Sequence, residues 1–132
     1  MHVAIWVAAG SALGGMSRFG LSQAIQSRLA TPFPVATLVI NVVGSLIVGF
    51  VMRFALSSNT LSAEAQVFLT TGFCGGFTTF SAFSYETVRL LENGDYPRAG
   101  LYALASVVLS LIAVMVGFSL ARGLLGARGL PS

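Results

Sequence analysis

Residues 70–86 read "TTGFCGGFTTFSAFSYE" and lie inside a longer apolar segment, about Ala63 to Leu91. Three glycines, four phenylalanines and a run of Thr and Ser hydroxyls stand where a plain apolar helix would serve. Gly72, Gly75 and Gly76 weaken a helix, and Thr78 or Thr79 supplies a side-chain oxygen suited to an N-cap. The stretch therefore reads as a helix, an interruption at about 73–78, and a second half-helix. Non-helical backbone at membrane depth survives only where it is buried in protein or lines a cavity. Freed carbonyls at such a break suit a cation, and the N-terminus of a half-helix favours an anion. A glycine-packed kink in an intact helix is the competing reading.

Composition supplies the membrane. The chain has 132 residues, 55% hydrophobic and only 8% charged, with a mean hydropathy of +0.87. A soluble domain carries about a quarter charged residues, so this chain cannot clothe a water-facing surface. A span needs about 20 mostly apolar residues. The length fits four spans in one membrane domain, 1–132, with no soluble module. The spans are expected at about 3–26, 35–56, 63–91 and 98–120, separated by "SRLATPFP", "SSNTLS" and "ENGDYP". The Gly- and Arg-rich tail "ARGLLGARGLPS" is expected to be only partly ordered. The opening "MHVAIWVAAGSALGGMSRFG" lacks a basic leader and runs on as a span, so a cleavable signal peptide is not expected.

Net charge is +3, yet the seven basic residues are single, scattered arginines near span ends. They form no patch for nucleic acid. The lone Cys74 excludes an internal disulfide and a cysteine-based metal cluster. Four spans put both termini on one side. Leaving aside Arg18, which lies within the first span, Arg53, Arg122 and Arg128 then lie on that side and Arg28, Arg89 and Arg98 on the other. This balance gives no positive-inside bias. A chain of this kind can insert both ways up and pair antiparallel with itself, unless one residue or the lipid fixes a single orientation.

Polar stripes run along the spans. Thr37, Asn41 and Ser45 are spaced i, i+4, i+8, as are Tyr102, Ser106 and Ser110, and Ser11, Gly15, Arg18 and Ser22 fall close to one face. Such stripes face helices or water rather than lipid. Helix packing is one explanation, as it is for the GxxxG pattern Gly10–Gly14. A polar route is the other, and the mid-span amide of Asn41 favours it because buried amides need partners. Arg18 is either an intramembrane functional cation or a snorkel toward the first loop. Phe80 and Phe83 stand three apart on one helical face, flanked by Ser81 and Ser84. Two such phenylalanines are ordinarily core; beside a break and an asparagine, their positive ring edges suit a small anion held weakly.

"GFCGGFTTFSAFS", with "NVVGS" in the second span and "GGMSRF" in the first, closely resembles the Fluc/CrcB family of fluoride channels over essentially the whole chain. The resemblance implies an all-α membrane protein of four transmembrane helices, the third broken mid-membrane, assembled as an antiparallel dual-topology homodimer with two fluoride pores. It implies Phe80 and Phe83 giving ring edges to fluoride and Asn41 donating its amide. Ser81, Thr37, Tyr102, Ser106 and Ser110 would complete the polar lining, with Glu86 at a pore mouth; Arg18 matches the family's first-span arginine. A structural sodium ion, Na+, would sit at the dimer centre on the backbone carbonyls of Gly75 and Thr78. Many members read "FSTF" where this chain reads "FSAF", so Ala82 lacks a hydroxyl often present.

The function implied is passive fluoride efflux across the inner (plasma) membrane, lowering cytoplasmic fluoride, with no enzymatic activity. Such a pore must replace the ion's water with donors that bind well enough to admit it and weakly enough to release it. A small multidrug-resistance-like proton-coupled exporter is one alternative, but it needs an intramembrane carboxylate and the first span has no acidic residue. A non-transporting assembly subunit, whose glycines and serines only pack, is the other.

Overall fold

The computed structural model describes residues 2–57 and 61–129. Met1, residues 58–60 of the second connection and residues 130–132 of the tail lie outside the described residues. Among the described residues every regular element is helical: α1 (His2–Gln26), α2 (Val35–Ser57), α3 (Ala63–Val67), a widened π-helical run (Phe68–Cys74), α4 (Gly75–Phe77), α5 (Phe80–Glu92) and α6 (Tyr96–Ala127). The expected first, second and fourth spans fall on α1, α2 and α6. The third falls on the segment from α3 to α5.

Both α2 and α6 are long and apolar enough to cross a membrane by length and composition. At 25 residues α1 is about 37 Å long, also enough for a bilayer core. Apolar residues lie on the outside: Ile5, Met16 and Phe19 of α1 and Leu104, Leu111 and Met115 of α6 are exposed. Small or polar residues fill many of the contacts between helices. This distribution suits a lipid solvent, where apolar side chains gain nothing by hiding from their surroundings and close packing of small residues joins the helices.

Two glycine seams set the architecture. A Cβ at Gly49 of α2 would stand 2.6 Å from the Val114 carbonyl oxygen, and one at Gly117 of α6 would collide with the backbone of Leu46 and Phe50. Here α2 and α6 meet backbone to backbone, in the largest helix contact of the fold. The second seam joins α1 to the broken segment. Gly10 faces the backbone of Phe68, Gly72 and Phe73, Gly14 faces Phe73 and Phe77, and a Cβ at Gly76 would lie 2.5 Å from the Ser11 carbonyl oxygen. The GxxxG pattern in α1 thus acts as a packing face.

The interruption is shorter and later than the expected 73–78. Gly75–Phe77 forms a helical turn, and only Thr78 and Thr79 are extended, at φ/ψ of −76/160 and −152/111. The physical reason is that Gly72 and Gly76 are used for approach to α1, which leaves them helical. The chain leaves the helix where side chains capture the backbone instead. The Thr79 side chain caps α5 by accepting from the Ala82 N–H at 3.1 Å. Upstream, the run Phe68–Cys74 winds more widely than an α-helix, and the Ser11 hydroxyl donates to the Gly72 carbonyl at 3.4 Å.

Asn93 and Gly94 close the α5–α6 turn, with Gly94 at φ +75 as the left-handed position requires. Asp95 caps α6 and also pairs with Arg98 at 2.9 Å. The last helix continues to Ala127, well past the expected end at 120. Ala121 and Leu125 are fully buried, and this packing holds Gly123 and Gly126 in helical form.

Candidate functional site

The extended pair Thr78–Thr79 opens onto a groove of about 560 Å³ between α2, the broken segment and α6. Its polar wall is Asn41, Ser45, Thr70, Thr78, Thr79, Ser106 and Ser110; Val48, Val107, Leu111 and Val114 supply much of the apolar wall, with Phe80 and Phe83 beside the break. Asn41 and Ser45 of one stripe and Ser106 and Ser110 of the other reach it because α2 and α6 touch through Gly49 and Gly117, which brings their polar faces together.

Asn41 is fixed by the break. Its amide donates to the Thr79 carbonyl at 3.1 Å, and its own oxygen accepts the Thr79 N–H at 2.8 Å. This reciprocal pair satisfies both backbone groups of a residue removed from the helix, and it orients the amide by its partners. One Asn41 N–H remains for another acceptor, since a primary amide carries two. The Thr79 N–H, which would otherwise close a turn onto the Gly75 carbonyl, is taken by Asn41. Thr78 turns inward, its hydroxyl donating to the Cys74 carbonyl at 2.8 Å and its methyl against Gly44.

Across the groove, the Ser106 hydroxyl is buried and has no hydrogen-bond partner among the described residues. Leaving a buried hydroxyl unpaired costs about 1–3 kcal/mol, so this donor is the clearest sign of a missing polar guest. Phe80 and Phe83 stand 5.5 Å apart between centroids at 44°. Phe83 is half-buried against Tyr102, whereas Phe80 is 78% exposed and packs little within its own chain.

The groove therefore brings together Asn41, Phe80, Phe83, Ser106 and Ser110, with Gly75 and Thr78 on its wall. The remaining expected residues stand elsewhere. Glu86 accepts from the Thr37 hydroxyl at 2.8 Å and from the Tyr102 hydroxyl at 2.7 Å, one on each carboxylate oxygen. The hydroxyls of Thr37 and Tyr102, expected in the polar lining, are thus directed to a carboxylate behind Phe83. Ser81 is exposed beyond the break, 3.2 Å from the Thr79 hydroxyl. Arg18 is half-buried on α1 and has no hydrogen bond or ion pair among the described residues.

Thr79 is the groove residue least evident in the sequence. It was visible only as one of two possible caps, and the asparagine that holds it is 38 positions away. A second cleft, of about 360 Å³, lies between the α1–α2 connection and the end of α5. Glu86 reaches it, as do Gln26, Tyr85, Arg89 and Asn93. Among the described residues no group of three or more His, Cys, Asp or Glu is placed to hold a metal. A cation in this fold would depend on neutral oxygens such as the Gly75 and Thr78 carbonyls.

Residues 5–118 match the family described as CrcB-like protein, Camphor Resistance (CrcB). A relative from Thermus thermophilus, named fluoride-specific ion channel FluC, is 44% identical over 120 residues, covering 91% of this chain and 95% of the relative. One of the same name from Syntrophotalea carbinolica is 45% identical over 124 residues, covering 94% of this chain and all of the relative. A third, from Opitutus terrae, is 42% identical over 131 residues, covering 98% of this chain and 99% of the relative. With a family match over residues 5–118 laid over these apolar helices and their broken third segment, the chain belongs to the CrcB family of membrane proteins.

Proposed function

We propose that this protein is a fluoride-selective channel that lets fluoride leak passively out of the cell. The observation that carries the reading is the groove at the helix break. There the unpartnered Ser106 hydroxyl, the spare N–H of Asn41 and the phenylalanine pair converge on one space. All of these present partial positive charge, through hydroxyl, amide and ring edge, and none carries a full positive charge that would trap an anion. The names borne by the relatives point to the same ion.

In this reading a fluoride ion exchanges water for the Ser106 and Ser110 hydroxyls and the Asn41 amide, then passes the edges of Phe80 and Phe83. Glu86, Thr37 and Tyr102 form a hydrogen-bonded cluster behind the rings, on the side of the pore mouth. Ser81 extends the polar lining past the break. Four helical spans cross the inner (plasma) membrane, and two chains associate antiparallel as a dual-topology homodimer with two pores. The balance of Arg53, Arg122 and Arg128 against Arg28, Arg89 and Arg98 supports a dual topology.

A structural sodium fits the donor chemistry of the break. Gly75 has lost the N–H that would have closed onto its carbonyl, and Thr78 is extended, so neutral main-chain oxygens are available for a hard monovalent cation. Gly75 and Thr78 of each chain would hold it. When bound it supplies positive charge that offsets the exposed carbonyls and joins the subunits.

Purified protein in liposomes loaded with potassium fluoride provides the test. Fluoride should escape when valinomycin allows compensating potassium flow and stay inside without it. Complete retention would favour an assembly subunit, and pH-driven exchange of organic cations would favour the exporter; either outcome overturns the channel.

A further inference from the structure

Arg53 is a charged side chain that neither the groove nor the glycine seams explain. It stands one turn beyond Gly49, on the face of α2 that meets α6 backbone to backbone at Val114 and Gly117. The residue is half-buried there, and its Nε–H is buried with no hydrogen-bond partner among the described residues. A guanidinium stays charged and offers five donors in a planar fork. Leaving such a donor buried and unanswered is costly, so the position calls for an acceptor that the described chain does not supply. Arg122 stands nearby on α6. It adjoins the fully buried Ala121, one turn beyond Gly117, and is exposed with no ion pair among the described residues.

Depth identifies the acceptor. The break lies at the middle of the third segment, and Asn41 is bonded to it through Thr79, so Asn41 marks the centre of the bilayer. Ser106 stands level with Asn41, since Thr37 and Tyr102, one turn before each, share Glu86. Arg53 is twelve residues beyond Asn41 on α2, about 18 Å, and Arg122 is sixteen beyond Ser106 on α6, about 24 Å. Headgroups occupy the layer about 15–22 Å from the centre of a bilayer. Helical side chains lean toward the N-terminus, which for Arg122 is back into that layer. The two arginines therefore bracket the level of the lipid phosphates.

Charge at this end is not cancelled. Of the four acidic residues only Glu64 lies here, and it lines a separate cavity with His2, Trp6 and Phe68. The helix that carries it packs on the Met52 side of α2, where the Gln66 amide reaches the Met52 sulfur at 3.8 Å, and Glu64 forms no ion pair among the described residues. At the opposite end Glu86, Glu92 and Asp95 offset Arg28, Arg89 and Arg98.

We propose that Arg53 and Arg122 form a binding site for the phosphate of an anionic phospholipid, seated where α2 and α6 leave the bilayer. The phosphate accepts from the Arg53 Nε–H, and Arg122 closes on it from α6, so the bound lipid ties the ends of the two helices together. The inference depends on the placement of the helices in the membrane and not on which ion the groove passes.

The test uses detergent-solubilised wild type, Arg53→Met, Arg122→Gln and, as a control, Arg28→Gln, an exposed arginine at the other end. Each is titrated with dioleoylphosphatidylglycerol or dioleoylphosphatidylcholine, with bound lipid read by native mass spectrometry and stability by melting temperature. Wild type should retain the anionic lipid preferentially and melt higher with it. Arg53→Met and Arg122→Gln should each lower that preference about 5-fold, the size expected for one basic residue at a lipid surface, and Arg28→Gln should leave it unchanged. Without lipid, Arg53→Met should melt no lower than wild type, because the unanswered donor is gone. An equal loss of preference in Arg28→Gln would mean unspecific attraction, and a lower lipid-free melting temperature in Arg53→Met would mean that the arginine serves the fold itself. Equal stabilisation by inorganic phosphate would mean a soluble anion. Each of these overturns the proposal, as does an unchanged lipid preference in the two site variants.

Discussion

Replacing Asn41 with Asp changes one atom of the side chain and reverses what that atom can do. The Asn41 oxygen already accepts the Thr79 N–H at 2.8 Å, and an aspartate keeps that bond. The amide nitrogen that donates to the Thr79 carbonyl at 3.1 Å becomes an oxygen, so two acceptors face one another. Losing one hydrogen bond and stranding a part-buried carbonyl costs about 2–4 kcal/mol of stability. Asn41→Ala strands both Thr79 groups and costs a similar amount, but it adds no charge. The two variants separate in conduction. A carboxylate about 4 Å from a passing fluoride, at an effective dielectric near 20, repels it by about 4 kcal/mol. At about 1.4 kcal/mol per factor of ten, Asp at this position should slow fluoride roughly a thousandfold, and Ala much less. Size-exclusion chromatography and thermal unfolding in detergent establish that both variants are folded; liposome efflux then ranks them. Equal flux in wild type and Asn41→Asp, or equal loss in the Asp and Ala variants, would refute the assigned role of the amide.

Ser106→Ala should dissociate stability from function. Removing the unpartnered hydroxyl should leave the unfolding midpoint unchanged or raise stability by about 1 kcal/mol, while fluoride efflux falls. Tyr102→Phe deprives Glu86 of one of its two donors and should cost about 1.5–3 kcal/mol in thermal unfolding, whereas Glu86→Gln removes the charge and should cost less. At the α1 seam, Gly14→Ala would bring a methyl within 2.8 Å of the Phe77 nitrogen and should destabilise by about 1–3 kcal/mol or more. Gly15→Ala, with nothing within 4 Å in the chain, should be tolerated or gain up to about 1 kcal/mol; a comparison of their melting temperatures checks the pair. Exchanging sodium for N-methylglucamine throughout should lower the thermal stability of the assembled protein, and an unchanged melting temperature would remove sodium from its structural role.

Much of the groove was legible because helical spacing is a strict rule. The i, i+4, i+8 stripes on α2 and α6 place Asn41 and Ser106 on facing surfaces once Gly49 and Gly117 bring the helices together. The GxxxG pattern of α1 likewise announced a close contact, although its partner was hidden. The position of the break was harder to read. A glycine in a membrane helix serves either to unwind the chain or to let another backbone approach, and the sequence alone does not separate these uses. Gly72 and Gly76 serve approach, so the interruption moved to Thr78–Thr79. The fate of the Thr37 and Tyr102 hydroxyls was also invisible. Their shared acceptor, Glu86, is 49 residues from one and 16 from the other, and only tertiary packing brings the three together. Thr79 was obscured for the same reason, since its importance lies in a bond to another helix.

In the proposed channel, the space at the helix break passes fluoride by offering neutral donors. The most direct measurement is simultaneous recording of fluoride and chloride release from the same wild-type liposomes after valinomycin is added. Rapid fluoride release with chloride retained is the result expected. Release of both ions together, or of neither, would rule out a fluoride-selective path through the break.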